Sequence, residues 1–207
     1  MKIVCWVPKV YGGTGLYRIV MPHEILKVDI RFTDSMNIKD MMGDIFFVSK
    51  ANFTHILPVI PFLRKEGVKT IIDFDDYWVL PQDHLLYHGY KKYSTSQLLA
   101  DSLRKFDYVT TTTDRLANEI RKINPNVHVF ENGINTDRKQ FEIQPREIGD
   151  VAFGWIGGHC HLSDIQLLSG TPERLANTPG WSISLFGHDG RPGSVYDKFA
   201  NIMCGYG

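Results

Sequence analysis

The chain has 207 residues, 43% apolar and 22% charged, the proportions of an ordinary globular sequence that can bury a core without disulfides or a structural metal. Lys plus Arg and Asp plus Glu number 23 each, and the balance holds on both sides of residue 150. No whole-chain field therefore draws it to nucleic acid or anionic lipid, although a local basic patch stays open. Cys5, Cys160 and Cys204 make no Cys-x-x-Cys pair and no disulfide framework, which fits a reducing compartment. The apolar run before Pro8 is too short for a signal peptide, and later runs such as HILPVIPFLRK are cut by proline or charge. No segment is expected to span a bilayer, and the expected location is cytoplasmic.

Along the chain, β-branched runs alternate with amphipathic stretches. Strands are expected at Lys2–Val7, Ile30–Thr33, Asp44–Ser49, Lys69–Phe74, Tyr108–Thr113, Val127–Glu131, Val151–Ile156 and Trp181–Phe186, several as continuous apolar runs suited to strands buried on both faces. Pro22 splits Tyr17–Leu26 into a turn and a short helix, and Pro58 and Pro61 shorten a helix over Thr54–Glu66. Ser94 or Ser96 is expected to cap a helix to about Lys105. Asp114 is expected to cap RLANEIRKI, where Leu116, Ile120 and Ile123 share a face, and Thr171-Pro172 reads as a further helix start.

This order reads as an α/β protein with a mostly parallel sheet. The polar stretch NTDRKQFEIQPREIGD interrupts it. Residues 1–134 are expected to form a Rossmann-like N-terminal domain, residues 135–150 a linker, and residues 151–207 the start of a second Rossmann-like domain.

Four places carry candidate chemistry. Gly12, Gly13, Thr14 and Gly15 follow the first strand, where a glycine-rich turn lets a ligand approach the backbone and the next helix offers free N–H groups to an anion. Arg18 stands at the third glycine position, so the dinucleotide fingerprint is not met, and a plain flexible turn stays open. The strand KTIIDFDD ends in Asp73, Asp75 and Asp76, followed by Tyr77 and Trp78. Carboxylates beside rings suit a sugar, with its hydroxyls and its apolar C–H face; helix capping, a hard cation and an acid/base pair are the alternatives. Gly157, Gly158 and His161, in WIGGHCHLSD, again follow a strand; neighbouring residues there rarely close a tetrahedral zinc site, so no metal is expected. Asn132-Gly133 is a strong turn signal. His84 and His88, spaced i,i+4, are packing residues or, facing a cleft, sugar-orienting ones.

In order and spacing, the segments GGTGLYRIVMPHEIL, TIIDFDDYW, YVTTTTDRLANEI, VHVFENGIN and VAFGWIGGHCHLSDIQLL resemble the GT-B glycosyltransferases of the retaining family-4 type. The resemblance implies two Rossmann-like domains across a cleft, an acceptor side and a nucleotide-sugar side, and metal-independent transfer of a sugar to a glycan, lipid-linked or small-molecule acceptor. It implies no cofactor beyond the donor substrate. Gly12, Gly13 and Gly15 would approach the donor phosphate or the transferred sugar, and Arg18 would support that loop or reach an anion. Asp75, Asp76 and Tyr77 would face the acceptor, Gly157, Gly158 and His161 the diphosphate, and His84 the transferred sugar as the catalytic candidate. Asn132 and Gly133 would close the acceptor domain. The chain is also expected to stop inside the donor domain, so that a partner chain or a missing C-terminal region completes it. The alternative reading is a non-catalytic carbohydrate-binding or scaffold protein, and a peripheral membrane contact is left open.

Overall fold

The computed structural model describes residues 1–6, 15–49, 55–82, 84, 86–142, 151–156, 167 and 180–186. The chain divides into two compact units, Met1–Glu142 and Ile143–Gly207. The division falls eight residues into the stretch expected as a linker. Residues 135–142 belong to the first unit, where Arg138 Nε and Nη2 donate to the two carboxylate oxygens of Glu24 at 2.9 and 2.5 Å.

The first unit is an α/β domain built on six parallel strands. They are β1 (Lys2–Trp6), β2 (Asp29–Thr33), β3 (Ile45–Ser49), β4 (Lys69–Phe74), β5 (Tyr108–Thr111) and β6 (Val127–Val129), in the spatial order β2-β1-β3-β4-β5-β6. A Rossmann-like α/β domain is thus present, as the alternation of runs led one to expect. The second unit contributes a parallel pair, β7 (Val151–Ile156) and β8 (Trp181–Phe186), in register from Val151 with Trp181 to Ile156 with Phe186. Among the described residues no helix is long and apolar enough to cross a membrane.

Strand alternation sends one set of side chains to each face. On one face Val4, Trp6, Phe46, Val48, Ile72, Phe74, Val109 and Val127 join a core with Ile60 and Leu63 of α2 (Ile60–Lys65), Leu99 and Leu103 of α4 (Thr95–Leu103), and Leu116 and Ile120 of α5 (Asp114–Arg121). On the other, Cys5 packs with Ile19, Ile3, Ile30 and Phe47. Burial pushes the Cys5 thiol up to about 12, so it is an inert apolar filler there.

Local chemistry explains the helix boundaries. Residues Leu16–Val20 form a π-helical turn that continues as α1 (Met21–Leu26), with Pro22 in its first turn, as its missing N–H allows. The stretch Thr54–Glu66 yields only α2, again with proline in the first turn. Gly67, at φ +80, closes it: Gly67 N–H donates to the Arg64 carbonyl and Val68 N–H to the Leu63 carbonyl, both at 3.0 Å. Two capping expectations are corrected. Thr113, not Asp114, caps α5, its hydroxyl accepting from Leu116 N–H at 3.2 Å; extended backbone at Thr113 aims that oxygen at the first turn. Neither serine caps α4. Ser94 sits at φ +51, which turns its side chain from the helix start, and the Ser96 hydroxyl donates to the Trp78 carbonyl at 2.6 Å.

Candidate functional site

In an open parallel sheet, ligands bind beyond the carboxyl ends of the strands, at the point where strand order reverses. Here that point lies between β1 and β3, since β1 has β2 on one side and β3 on the other. The register places Ser49 of β3, Asp73 of β4, Thr110 of β5 and His128 of β6 side by side near this edge. It is a polar row across four neighbouring strands.

Arg18 closes onto this row from the π-helical turn after the glycine segment. Its Nε and Nη2 donate to Asp73 Oδ2 and Oδ1 at 3.0 and 2.7 Å, and both side chains are 1% exposed. Nη1 donates to Asn132 Oδ1 at 3.2 Å and to the Phe130 carbonyl. The guanidinium carbon lies 4.8 Å from the Phe130 ring centroid, a cation–π distance. The Thr110 hydroxyl donates to Asp73 Oδ1 at 2.6 Å. One side chain thus ties the turn after β1 to β4 and to the chain leaving β6, and β5 joins through Asp73. Burial pushes the Asp73 carboxyl above its usual range, against the pull of Arg18 and Thr110, with the nearby charge of Asp75 adding to the rise.

The Arg18 guanidinium is thus engaged on Asp73, Asn132 and the Phe130 carbonyl. Sequence reading had grouped Asp73 with Asp75 and Asp76 as candidate ligand carboxylates and had given Thr110 no site role; the signal for their link to Arg18 was weak, an arginine where a glycine would stand and a strand ending in three aspartates.

Beyond Asp73 the chain surfaces. Asp75 is partly buried and Asp76 exposed, and Tyr77 is 49% exposed while Trp78 is 8% exposed. The rings of Tyr77 and Trp78 lie 5.1 Å apart, and Phe74 meets Trp78 edge-on at 5.7 Å. Trp78 is therefore the packed anchor, and Tyr77 the ring offered outward. The Trp6 indole N–H, at the end of β1, is buried without an acceptor among the described residues; it is a donor at the switch point that sequence reading had placed only in a strand.

Asn132-Gly133 forms no turn. Residues 131–135 form neither helix, strand nor turn, and the turn comes at Thr136-Asp137, where Asn135 Oδ1 accepts from Asp137 N–H at 3.1 Å. Contact with Arg18 holds Asn132 instead, and a Cβ added at Gly133 would meet nothing within 4 Å. His84 and His88 do not share a helix: His84 lies in a turn before α3 (Tyr87–Lys92), its Nδ1 accepting from Leu86 N–H at 3.1 Å, and His88 lies within α3. Gly15 precedes the π-helical turn in helical backbone conformation. Gly12, Gly13, Thr14, Gly157, Gly158 and His161 lie outside the described residues, as does the helix start at Thr171.

No protein-family model matches the chain, and no curated protein matches it.

Proposed function

We propose that the chain is a GT-B-type glycosyltransferase that moves a sugar from a nucleotide-diphosphate donor to a carbohydrate-bearing acceptor. One observation carries this reading. Three of the segments behind the resemblance, GLYR after β1, DFDDYW at β4 and FENG after β6, come together at the carboxyl edge and are joined there through Arg18. In this reading the buried clamp fixes the edge, and Asp75, Asp76 and Tyr77 present carboxylates and a ring to the acceptor. The glycine turn Gly12–Gly15 receives the donor's phosphate or sugar. Positioning and stabilisation of the departing diphosphate supply the rate, with basic side chains and backbone N–H groups doing the work of a Lewis acid. His84, with Nδ1 engaged in its own turn, has Nε2 to offer the transferred sugar.

The test is incubation of the chain with uridine-, guanosine- and adenosine-diphosphate sugars and a panel of glycan and glycolipid acceptors, following release of nucleoside diphosphate. Turnover that Gly13→Val abolishes, with the fold intact, supports the reading. Sugar binding without release favours a carbohydrate-binding protein. Binding unaffected by Gly13→Val removes the glycine turn from the site.

A further inference from the structure

The zero net charge of the chain hides a segregation that only the fold reveals. The three helices that cover one face of the sheet each end in the same dipeptide: Arg64-Lys65 after α2, Arg104-Lys105 after α4 and Arg121-Lys122 after α5. In a parallel α/β layer every such helix ends at the amino edge of the strands, so all six cations gather opposite the candidate functional site. Arg64 pairs with Asp107 at 2.9 Å, Arg104 with Asp101 at 2.5 Å and Lys122 with Glu119 at 2.7 Å. Lys65, Lys69, Lys105 and Arg121 have no carboxylate partner among the described residues, and Glu66 is set against them.

Cations in a last helical turn answer the helix dipole, and that alone would explain most of this rim. It does not explain Lys69, which opens β4, nor the shape of the surface. Arg64, Lys69 and Arg104 line a single groove of about 320 Å³, with Asp107, Tyr108, Asn124 and Asn126 among its other walls. Its lining is already internally bonded. Asp107 Oδ2 accepts from the Thr70 N–H and hydroxyl, both at 2.8 Å. Asn124 Nδ2 donates to the Leu103 and Phe106 carbonyls at 2.8 and 2.9 Å, and Asn126 N–H donates to Asn124 Oδ1 at 2.9 Å. Polar groups of the lining therefore satisfy one another; of the three cations, Arg64 and Arg104 each carry a surface ion pair, with Asp107 and Asp101, and Lys69 has no carboxylate partner among the described residues.

We propose that this groove binds a phosphate group, carried either by a soluble phosphorylated ligand or by the headgroup of an anionic lipid. Lys69 brings a positive charge without a carboxylate partner among the described residues, the two arginines are held only in exposed pairs that a phosphate can compete for, and guanidinium and ammonium donors from three separate elements suit an acceptor with several oxygens. Its position, at the edge of the sheet opposite Arg18 and Asp73, makes it a second site, independent of the glycosyltransferase reading.

Two probes test it on the full chain: inorganic phosphate by calorimetric titration, and sedimentation with vesicles of phosphatidylcholine alone or mixed with phosphatidylglycerol. Lys69→Ala with Arg104→Ala should weaken phosphate binding by about tenfold or more, as expected on losing two charge-assisted hydrogen bonds, with Tm unchanged because both side chains are exposed. Lys69→Arg should retain binding. Lys122→Ala, which removes a cation away from the groove, is the control. Binding of phosphate and of mixed vesicles, both lost in the double variant, supports a headgroup ligand; phosphate binding alone, lost in that variant, supports a soluble one. No phosphate binding, or an equal loss in Lys122→Ala, overturns the groove as a site.

Discussion

The two edges of the six-stranded sheet handle positive charge in opposite ways. At the carboxyl edge a single guanidinium, Arg18, is taken out of water and bonded to Asp73, Asn132 and the Phe130 carbonyl. At the amino edge cations from two helix ends and one strand start stay in solvent around an open groove. A buried charge contributes to structure because it is costly to leave alone; an exposed one contributes little to stability and is available to a ligand. The same residue types therefore hold the protein together at one edge and present a surface at the other.

The sharpest test of this contrast is Arg18→Ala. It leaves the Asp73 carboxylate buried without its partner, and a loss of about 3–5 kcal/mol is expected, read as a fall in the denaturation midpoint. Arg18→Met with Asp73→Leu should cost clearly less than the single change, since no charge is then stranded. An equal loss in both would mean that packing, not charge, holds this edge. A smaller effect belongs to Asn124 at the amino edge. Asn124→Ala strips the donor from two buried carbonyls and should cost about 1–3 kcal/mol, with phosphate affinity falling only if the groove lining collapses. The smallest effect is on pH dependence. Although burial pushes its carboxyl up, bonds from the Thr70 amide and hydroxyl and the charge of Arg64 hold Asp107 below the usual range. Its contribution is present above the carboxyl's unfolded value and is lost as pH falls through the depressed folded one. Asp107→Asn should therefore flatten the acid limb of the stability curve while lowering stability modestly at neutral pH. An unchanged acid limb would show that the exposed part of this pairing is screened away.

Much of the fold was legible because burial writes itself into sequence. β4, β7 and β8 lie at their expected bounds, and the other strands differ only at their ends, since continuous β-branched runs have few other homes. Pro22 and Pro61 marked shortened helices for covalent reasons. Caps were harder: Thr113 and Asp114 are both good capping residues, and only backbone dihedrals decide which one caps. The candidate site was legible as segments but not as bonds. Asn132-Gly133 reads locally as a turn, yet no turn forms there and Asn132 is bonded to Arg18, 114 residues away. The basic rim was invisible for the converse reason. Its three Arg-Lys pairs are scattered along a neutral chain and become neighbours only when parallel strands bring every helix end to one side.

The Arg18 clamp also bears on the order in which the domain is made. Its partners lie 55 and 112 residues further along the chain, so the guanidinium is synthesised early and satisfied only once the last strand of the sheet is in place. Contacts across such separations form after the loops between them have closed. Until then the domain carries at its carboxyl edge a solvated arginine and an open row of polar side chains. Completion of the sheet and assembly of the edge are then one event: the binding edge matures when the sixth strand seats, not when the glycine segment that announces it in the sequence emerges.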